Sequence, residues 1–169
     1  MKLVSKHIDV LVLGGGNDLP FNFKESIYPK KCSKENLKRI NFERKLIDEF
    51  CKNNKPIFGF CYGLQLFCLH FGGELKSTDG HGEGLPKTKE IFHKVIIDNS
   101  SIFPNKEIIV SSNHKMSLDI VPEDFKITGY SDDEVIESVE NNNFVGVQWH
   151  PELDSTKKYF LKYLDRYLF

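Results

Sequence analysis

A cysteine flanked by glycines, set between an apolar strand and a helix, constrains this chain more than any other feature. The stretch is Gly59-Phe60-Cys61-Tyr62-Gly63. Ile57–Phe60 before it reads as a short apolar strand. After it, Leu64, Phe67, Cys68 and Phe71 lie at helical spacing until Gly72-Gly73 stops the helix. Only a tight turn joins such a strand to such a helix. Side chains two places before and two places after the nucleophile would collide on that turn, which explains both glycines. The turn delivers Cys61 to the crevice at the carboxyl end of the strands, where α/β ligands sit. The helix aims its positive end at Cys61, favouring thiolate, and its first N–H groups can hold an oxyanion. A buried structural cysteine is the alternative reading of the string, and is the reading for Cys51 and Cys68.

The same alternation begins earlier. Ile8–Leu13 is branched and almost wholly apolar, like a strand buried on both faces of a parallel sheet, and runs into Gly14-Gly15-Gly16. A polar, aromatic loop with Pro20 and Pro29 follows. Ser33 reads as a helix cap. Leu37, Ile40, Leu46, Ile47, Phe50 and Cys51 form one stripe of a helix from Glu35 to about Asn53, ended by Lys55-Pro56. Strand, helix, strand, helix means an α/β sheet with helical crossovers. The second half reads as short strands, Glu90–Ile97, Glu107–Val110, Phe125–Tyr130, Val135–Val139 and Phe144–Trp149, several of them antiparallel. Ser155–Leu168 reads as a helix with Tyr159, Leu161, Leu164 and Leu168 inward and Lys157, Lys158 and Lys162 outward. No repeat or linker interrupts the chain, so residues 1–169 read as a single domain.

Composition narrows the function. Lys and Arg total 23 against 24 Asp and Glu, which argues against a nucleic-acid binder. No apolar run approaches the ~20 residues of a membrane span, and the first residues lack a signal-peptide core, so a cytoplasmic location is expected. No two of the four cysteines make a C-x-x-C pair, so neither a zinc cage nor a disulfide scaffold is expected, and no cofactor or metal is implied.

A cysteine nucleophile needs a base, usually a histidine held by a third group. His150, in Gly146-Val147-Gln148-Trp149-His150-Pro151-Glu152, lies just past a strand, with a stiffening proline and a carboxylate two residues on. Glu152 can hold the imidazole in the working tautomer. His81, between two glycines, reads as a loop residue more readily than a pocket residue. His93 reads as structural. His7 and His70 read as surface or helix-end residues. Trp149 reads equally as a pocket flank or as packing. Gly14-Gly15-Gly16 lacks the G-K-[ST] of a phosphate loop.

G-F-C-Y-G-L-Q followed by G-V-Q-W-H-P-E resembles the class I glutamine amidotransferase superfamily, closest to its γ-glutamyl hydrolase (peptidase C26) branch. The resemblance implies a flavodoxin-like three-layer sandwich with a mostly parallel central sheet plus additional antiparallel strands. It implies Cys61 as nucleophile, His150 as base and Glu152 as orienting acid. Val12-Leu13-Gly14-Gly15-Gly16-Asn17-Asp18 is similar to the family's oxyanion strand, so backbone N–H groups of Tyr62 and of Gly15 or Gly16 are implied oxyanion donors. Gln65 and Gly72-Gly73-Glu74-Leu75 also match. Ser112, Asn113 and His114 fall where a loop lines the glutamyl pocket, and Ile91-Phe92-His93-Lys94-Val95 is near the branch's H-x-V. Tyr62 stands where the branch usually has arginine, and Val110-Ser111-Ser112-Asn113-His114-Lys115-Met116 departs from its V-N-S-x-H-H-Q.

The implied activity is cysteine-dependent hydrolysis of a γ-glutamyl amide, glutamine or a γ-glutamyl-amine conjugate, through a thioester. Alternatives are a glutaminase subunit delivering ammonia to a partner synthase, a γ-glutamyl cytidine-diphosphate amidate hydrolase of capsule modification, and a catalytically silent binding relative. The implied partners are the small-molecule substrate and either a synthase or a second copy of the chain, with no nucleic acid and no membrane. The family normally places a strand, a helix and a second strand before the oxyanion strand. Here that strand begins at about Ile8, so the amino-terminal strands are expected to be short or missing.

Overall fold

The computed structural model describes residues 7–17, 19–20, 34–82 and 91–168, the last without its side chain. The expected cap at Ser33, most of the loop with Pro29, Cys32, Asp18, the strand start at Glu90 and the inward placing of Leu168 lie outside the described residues. The chain order is β1 (Leu11–Leu13), α1 (Lys34–Lys52), β2 (Ile57–Phe60), α2 (Tyr62–His70), β3 (Glu74–Ser77), β4 (Ile91–Ile97), β5 (Glu107–Ser112), β6 (Met116–Ile120), β7 (Lys126–Ser131), β8 (Ile136–Glu140) and β9 (Phe144–Val147). A single-turn 3-10 helix (Pro151–Leu153) and α3 (Lys157–Leu168) complete it.

The nine strands among the described residues join one curled sheet in the order β1-β2-β9-β8-β7-β4-β5, with β3 on β6 and β6 on β8. Strands β1, β2 and β9 pair in parallel, as the helical crossovers require. The other six pairings are antiparallel. The α/β fold with a parallel centre and added antiparallel strands is therefore present, with a larger antiparallel share than the sequence led us to expect. Strands β3 and β6 had no counterpart in the sequence reading. Each is short and half-exposed, and exists because it pairs with the other.

Alternation along the central strands makes the three layers. Ile57 and Phe144 face a core shared with Ile40, Ile47 and Phe50 of α1 and Leu64, Leu66 and Phe67 of α2. Their neighbours Phe58 and Val145 face a second core, with Trp149 and Tyr163. Phe144 is fully buried and stacks on Phe67 with ring centroids 3.8 Å apart. Helix α3 covers the second core with Tyr159, Phe160, Tyr163 and Leu164. Leu161, expected inward, is 48% exposed. Tyr159 and Leu164 face inward as expected, but Phe160 and Tyr163 take the place expected of Leu161, because their rings pack on Phe58.

The parallel register places the site. Leu13 is level with Gly59, and Gly59 with Gly146. Three segments therefore leave the sheet at one carboxyl edge: Gly14–Gly16, Cys61, and Gln148–His150.

Candidate active site

Cys61 sits on the turn between β2 and α2 at φ 50° and ψ −110°, a left-handed conformation that non-glycine residues seldom adopt. Its neighbours hold it there. The Cys61 N–H donates to the Val147 carbonyl at 2.8 Å, and Gln65 N–H donates to the Cys61 carbonyl at 3.2 Å. A methyl group at Gly59 would come within 2.8 Å of the Gly63 backbone, and one at Gly63 would strike the Leu13 backbone. Both glycines are thus needed for close approach. Cys68 and Cys51 are different: burial pushes the Cys68 thiol up, and burial with the nearby Asp48 pushes Cys51 up to about 11. Neither supplies thiolate near neutral pH.

His150 ends the β9 extension. Its N–H donates to the Ser111 carbonyl at 2.9 Å, and Pro151 starts the single turn that swings Glu152 back. The imidazole Nδ1 lies 2.8 Å from Glu152 Oε1. That leaves Nε2 for Cys61, with which the ring is also hydrogen-bonded. Burial pulls the imidazole down, but the bonds to Cys61 and Glu152 outweigh it and push it up to about 10. The order Cys61–His150–Glu152 is therefore continuous in space.

The glycine segment closes the other side. Gly15 lies against His150: a methyl group there would sit 3.0 Å from its Cε1. Gly16 lies between Arg39 and Tyr62 at similarly close range. Arg39 Nη2 donates to the Gly15 carbonyl at 3.1 Å, its Nε donates to Glu43 at 2.9 Å, and its guanidinium lies 4.3 Å from the centre of the Tyr62 ring. Tyr62 Oη in turn donates to Glu43 at 2.8 Å. In a trans peptide the N–H points opposite to the carbonyl, so the Gly16 N–H points away from Arg39. Sequence reading missed Arg39 and Glu43. Their spacing of four marks only a helix-surface pair, and nothing local says that it reaches Gly15. A shallow recess lined by Asn17, Asn36, Arg39, Ile40 and Tyr62 opens beside them.

The remaining sequence candidates divide. Gln65 is buried and donates to the Met116 carbonyl at 2.8 Å and to Gln148 Oε1 at 3.1 Å. Ser112 Oγ donates to the His81 carbonyl at 3.0 Å, and Asn113 is exposed beside Gly82. His114 turns into a buried cluster with His81, His93 and Glu137. His81 is accordingly only 4% exposed, not a free loop residue. Trp149 is fully buried, its Nε1 donating to Thr156 at 3.0 Å, so its role is packing. His7 is exposed, and His70 ends α2 in a pair with Asp48.

A sulfur, an imidazole and a carboxylate in series, on a strained turn at a helix N-terminus, form a set able to carry out acyl transfer. A model of the peptidase C26 family matches residues 1–152. The chain is 34% identical over 163 residues to protein NtpR of Enterococcus hirae, covering 86% of this chain and 67% of that one. It is 32% identical over 149 residues to the glutamine-hydrolysing GMP synthase of Dictyostelium discoideum, covering 83% of this chain but only 19% of that protein. The fold matches a glutamine amidotransferase from Thermotoga maritima with a TM-score of 0.66 at 21% identity, over 95% of this chain and 64% of that one. Among the described residues, no helix is long and apolar enough to cross a membrane.

Proposed function

From the premise that this chain belongs to the peptidase C26 family, and so stands with hydrolases and amidotransferases of the glutamine amidotransferase type, we propose that it hydrolyses a γ-glutamyl amide through a thioester on Cys61. The observation that carries this reading is the His150 imidazole held between Cys61 and Glu152, 2.8 Å from the carboxylate, with both partners raising it above its ordinary value.

The steps follow from the atoms. The Cys61 sulfur, its proton held on His150, attacks the γ-carbonyl carbon of the substrate. The carbonyl oxygen becomes an oxyanion, which the N–H groups of Tyr62 and Gly16 stabilise. The tetrahedral intermediate collapses as the imidazolium gives its proton to the leaving nitrogen, releasing ammonia or an amine. Neutral His150 then takes a proton from water, the hydroxide attacks the thioester, and glutamate leaves as sulfur regains its negative charge. Glu152 keeps Nδ1 protonated throughout and stabilises the imidazolium. Arg39 holds the Gly15 carbonyl outward, which aims the Gly16 N–H inward. Its guanidinium lies over Tyr62, the residue that stands where the branch usually has arginine.

The test is glutamate release by the purified chain from free glutamine and from a panel of γ-glutamyl amines. A thioester on Cys61 trapped from one of them supports the reading. Unchanged turnover by Cys61→Ala overturns it.

The likeness to the amidotransferase portion of a GMP synthase favours one second reading, a glutaminase that delivers ammonia to a synthase. It uses the same chemistry. It predicts little turnover by the chain alone and a large rise when a synthase partner is added.

A further inference from the structure

One buried cluster takes no part in acyl transfer. Glu137 of β8 is fully buried, and neither of its carboxylate oxygens accepts a hydrogen bond of normal geometry. Three imidazole nitrogens nevertheless converge on its Oε1: His93 Nε2 at 3.2 Å, His81 Nδ1 at 3.3 Å and His114 Nε2 at 3.5 Å. None of the three makes a hydrogen bond either.

The far sides of two rings explain why. His81 Nε2 lies 3.1 and 3.3 Å from the Asp133 carboxylate, which Ser131 Oγ also holds at 2.6 Å. His114 Nδ1 lies 3.1 Å from the Met116 carbonyl. Each of those nitrogens faces an acceptor and therefore carries the hydrogen. In the neutral ring the opposite nitrogen, the one facing Glu137, is then a bare lone pair. Two lone pairs aimed at a carboxylate repel one another unless a cation stands between them. Protons on these nitrogens would produce aligned hydrogen bonds, and none is present. A histidine whose outer nitrogen is fixed by a carboxylate or a backbone carbonyl is also the usual support for a metal ligand.

The distances fit an ion of definite size. Ligands about 2.0–2.1 Å from a tetrahedral zinc stand about 3.3 Å from one another. The three contacts to Glu137 are near that length, and the donor atoms of His81, His93 and Glu137 all lie within 4.8 Å of one another. We propose that His81, His93 and Glu137 bind one divalent transition-metal ion, of which zinc suits the nitrogen and oxygen donors best, with His114 packed against the same carboxylate. The ion ties β4, β8 and the segment after β3 together. Ser112 Oγ and the His114 N–H already donate to the His81 carbonyl at 3.0 and 2.8 Å, so these segments share one frame. The site does not depend on the activity proposed for Cys61.

The test uses the full chain carrying Cys61→Ser, stripped with chelator and titrated with Zn²⁺ and then Co²⁺. The expected result is one ion per chain, a cobalt spectrum of nitrogen and oxygen ligands without a thiolate charge-transfer band, and a Tm raised by zinc but not by magnesium. His93→Ala should weaken zinc binding by about 100-fold or more, at the top of the 10–100-fold range for loss of an outer partner. Glu137→Gln should do the same, with circular dichroism reporting whether each variant is folded. Absence of stoichiometric zinc, undiminished binding by folded His81→Ala/His93→Ala, or a cobalt–thiolate signature overturns the proposal. The first two outcomes would mean that the cluster shares protons instead.

Discussion

This molecule holds carboxylate and imidazole together in two ways. At Cys61, one histidine makes one well-formed 2.8 Å bond to Glu152, whose side chain is 38% exposed. At Glu137, three histidines crowd a carboxylate that is fully buried, and no bond is well formed. The first arrangement suits a proton that must move. One nitrogen is fixed, and the other is free to exchange with sulfur or leaving group. The second suits a charge that stays. An anion so deeply buried calls for a compensating cation.

Substitutions can break that contrast, beginning with the largest effect. Cys61→Ala should lower kcat/KM for the best γ-glutamyl substrate on the order of 10⁶-fold, with Tm little changed, read by glutamate release and thermal melting. A loss of less than about 100-fold would remove Cys61 from the chemistry. Glu152→Gln should cost about 10²–10⁴-fold in kcat with KM nearly constant, since it removes the anion that steadies the imidazolium. An equal loss carried entirely in KM would make Glu152 a substrate contact instead. Arg39→Ala should lower kcat by about 10-fold, less than deletion of an oxyanion donor, because it loosens such a donor without removing it. Arg39→Lys should recover only part, for lysine cannot span the Gly15 carbonyl, Glu43 and the Tyr62 ring together.

A pH profile sharpens the comparison with a smaller effect. The folded-state value of His150 is raised, so its contribution to stability is complete below its ordinary value and is lost as pH rises towards about 10. Turnover should fall over that alkaline limb as the imidazolium deprotonates. The Tm difference between wild type and His150→Ala should shrink over the same interval. A limb centred near the ordinary histidine value would show that Cys61 and His150 do not share a charge.

Local features were legible to different depths. The Cys61 turn could be read because its requirements are near in sequence: two glycines, an apolar strand and a helix stripe. His150 and Glu152 could be read because two residues and a proline set their geometry. Arg39 could not, since its partner Gly15 lies 24 residues away in sequence. The histidine cluster could not, because residues 81, 93, 114 and 137 share no spacing and no C-x-x-C pair announces them. The reading that no metal is implied came from that missing local pattern. Leu161 reads inward because it is as apolar as its neighbour Phe160, and only Phe58 across the interface chooses between them.

Sequence alone determined the alternation of strands and helices, the strained turn at Cys61 and the pairing of His150 with Glu152, because each depends on neighbours a few bonds away. Tertiary structure decided which segments share an edge. Register alone brings Leu13, Gly59 and Gly146 level, and so sets Gly15 against His150. Strand pairing alone folds four distant side chains around one buried carboxylate oxygen. Contacts of that kind depend on how strands pair through space, which no local pattern of residues records.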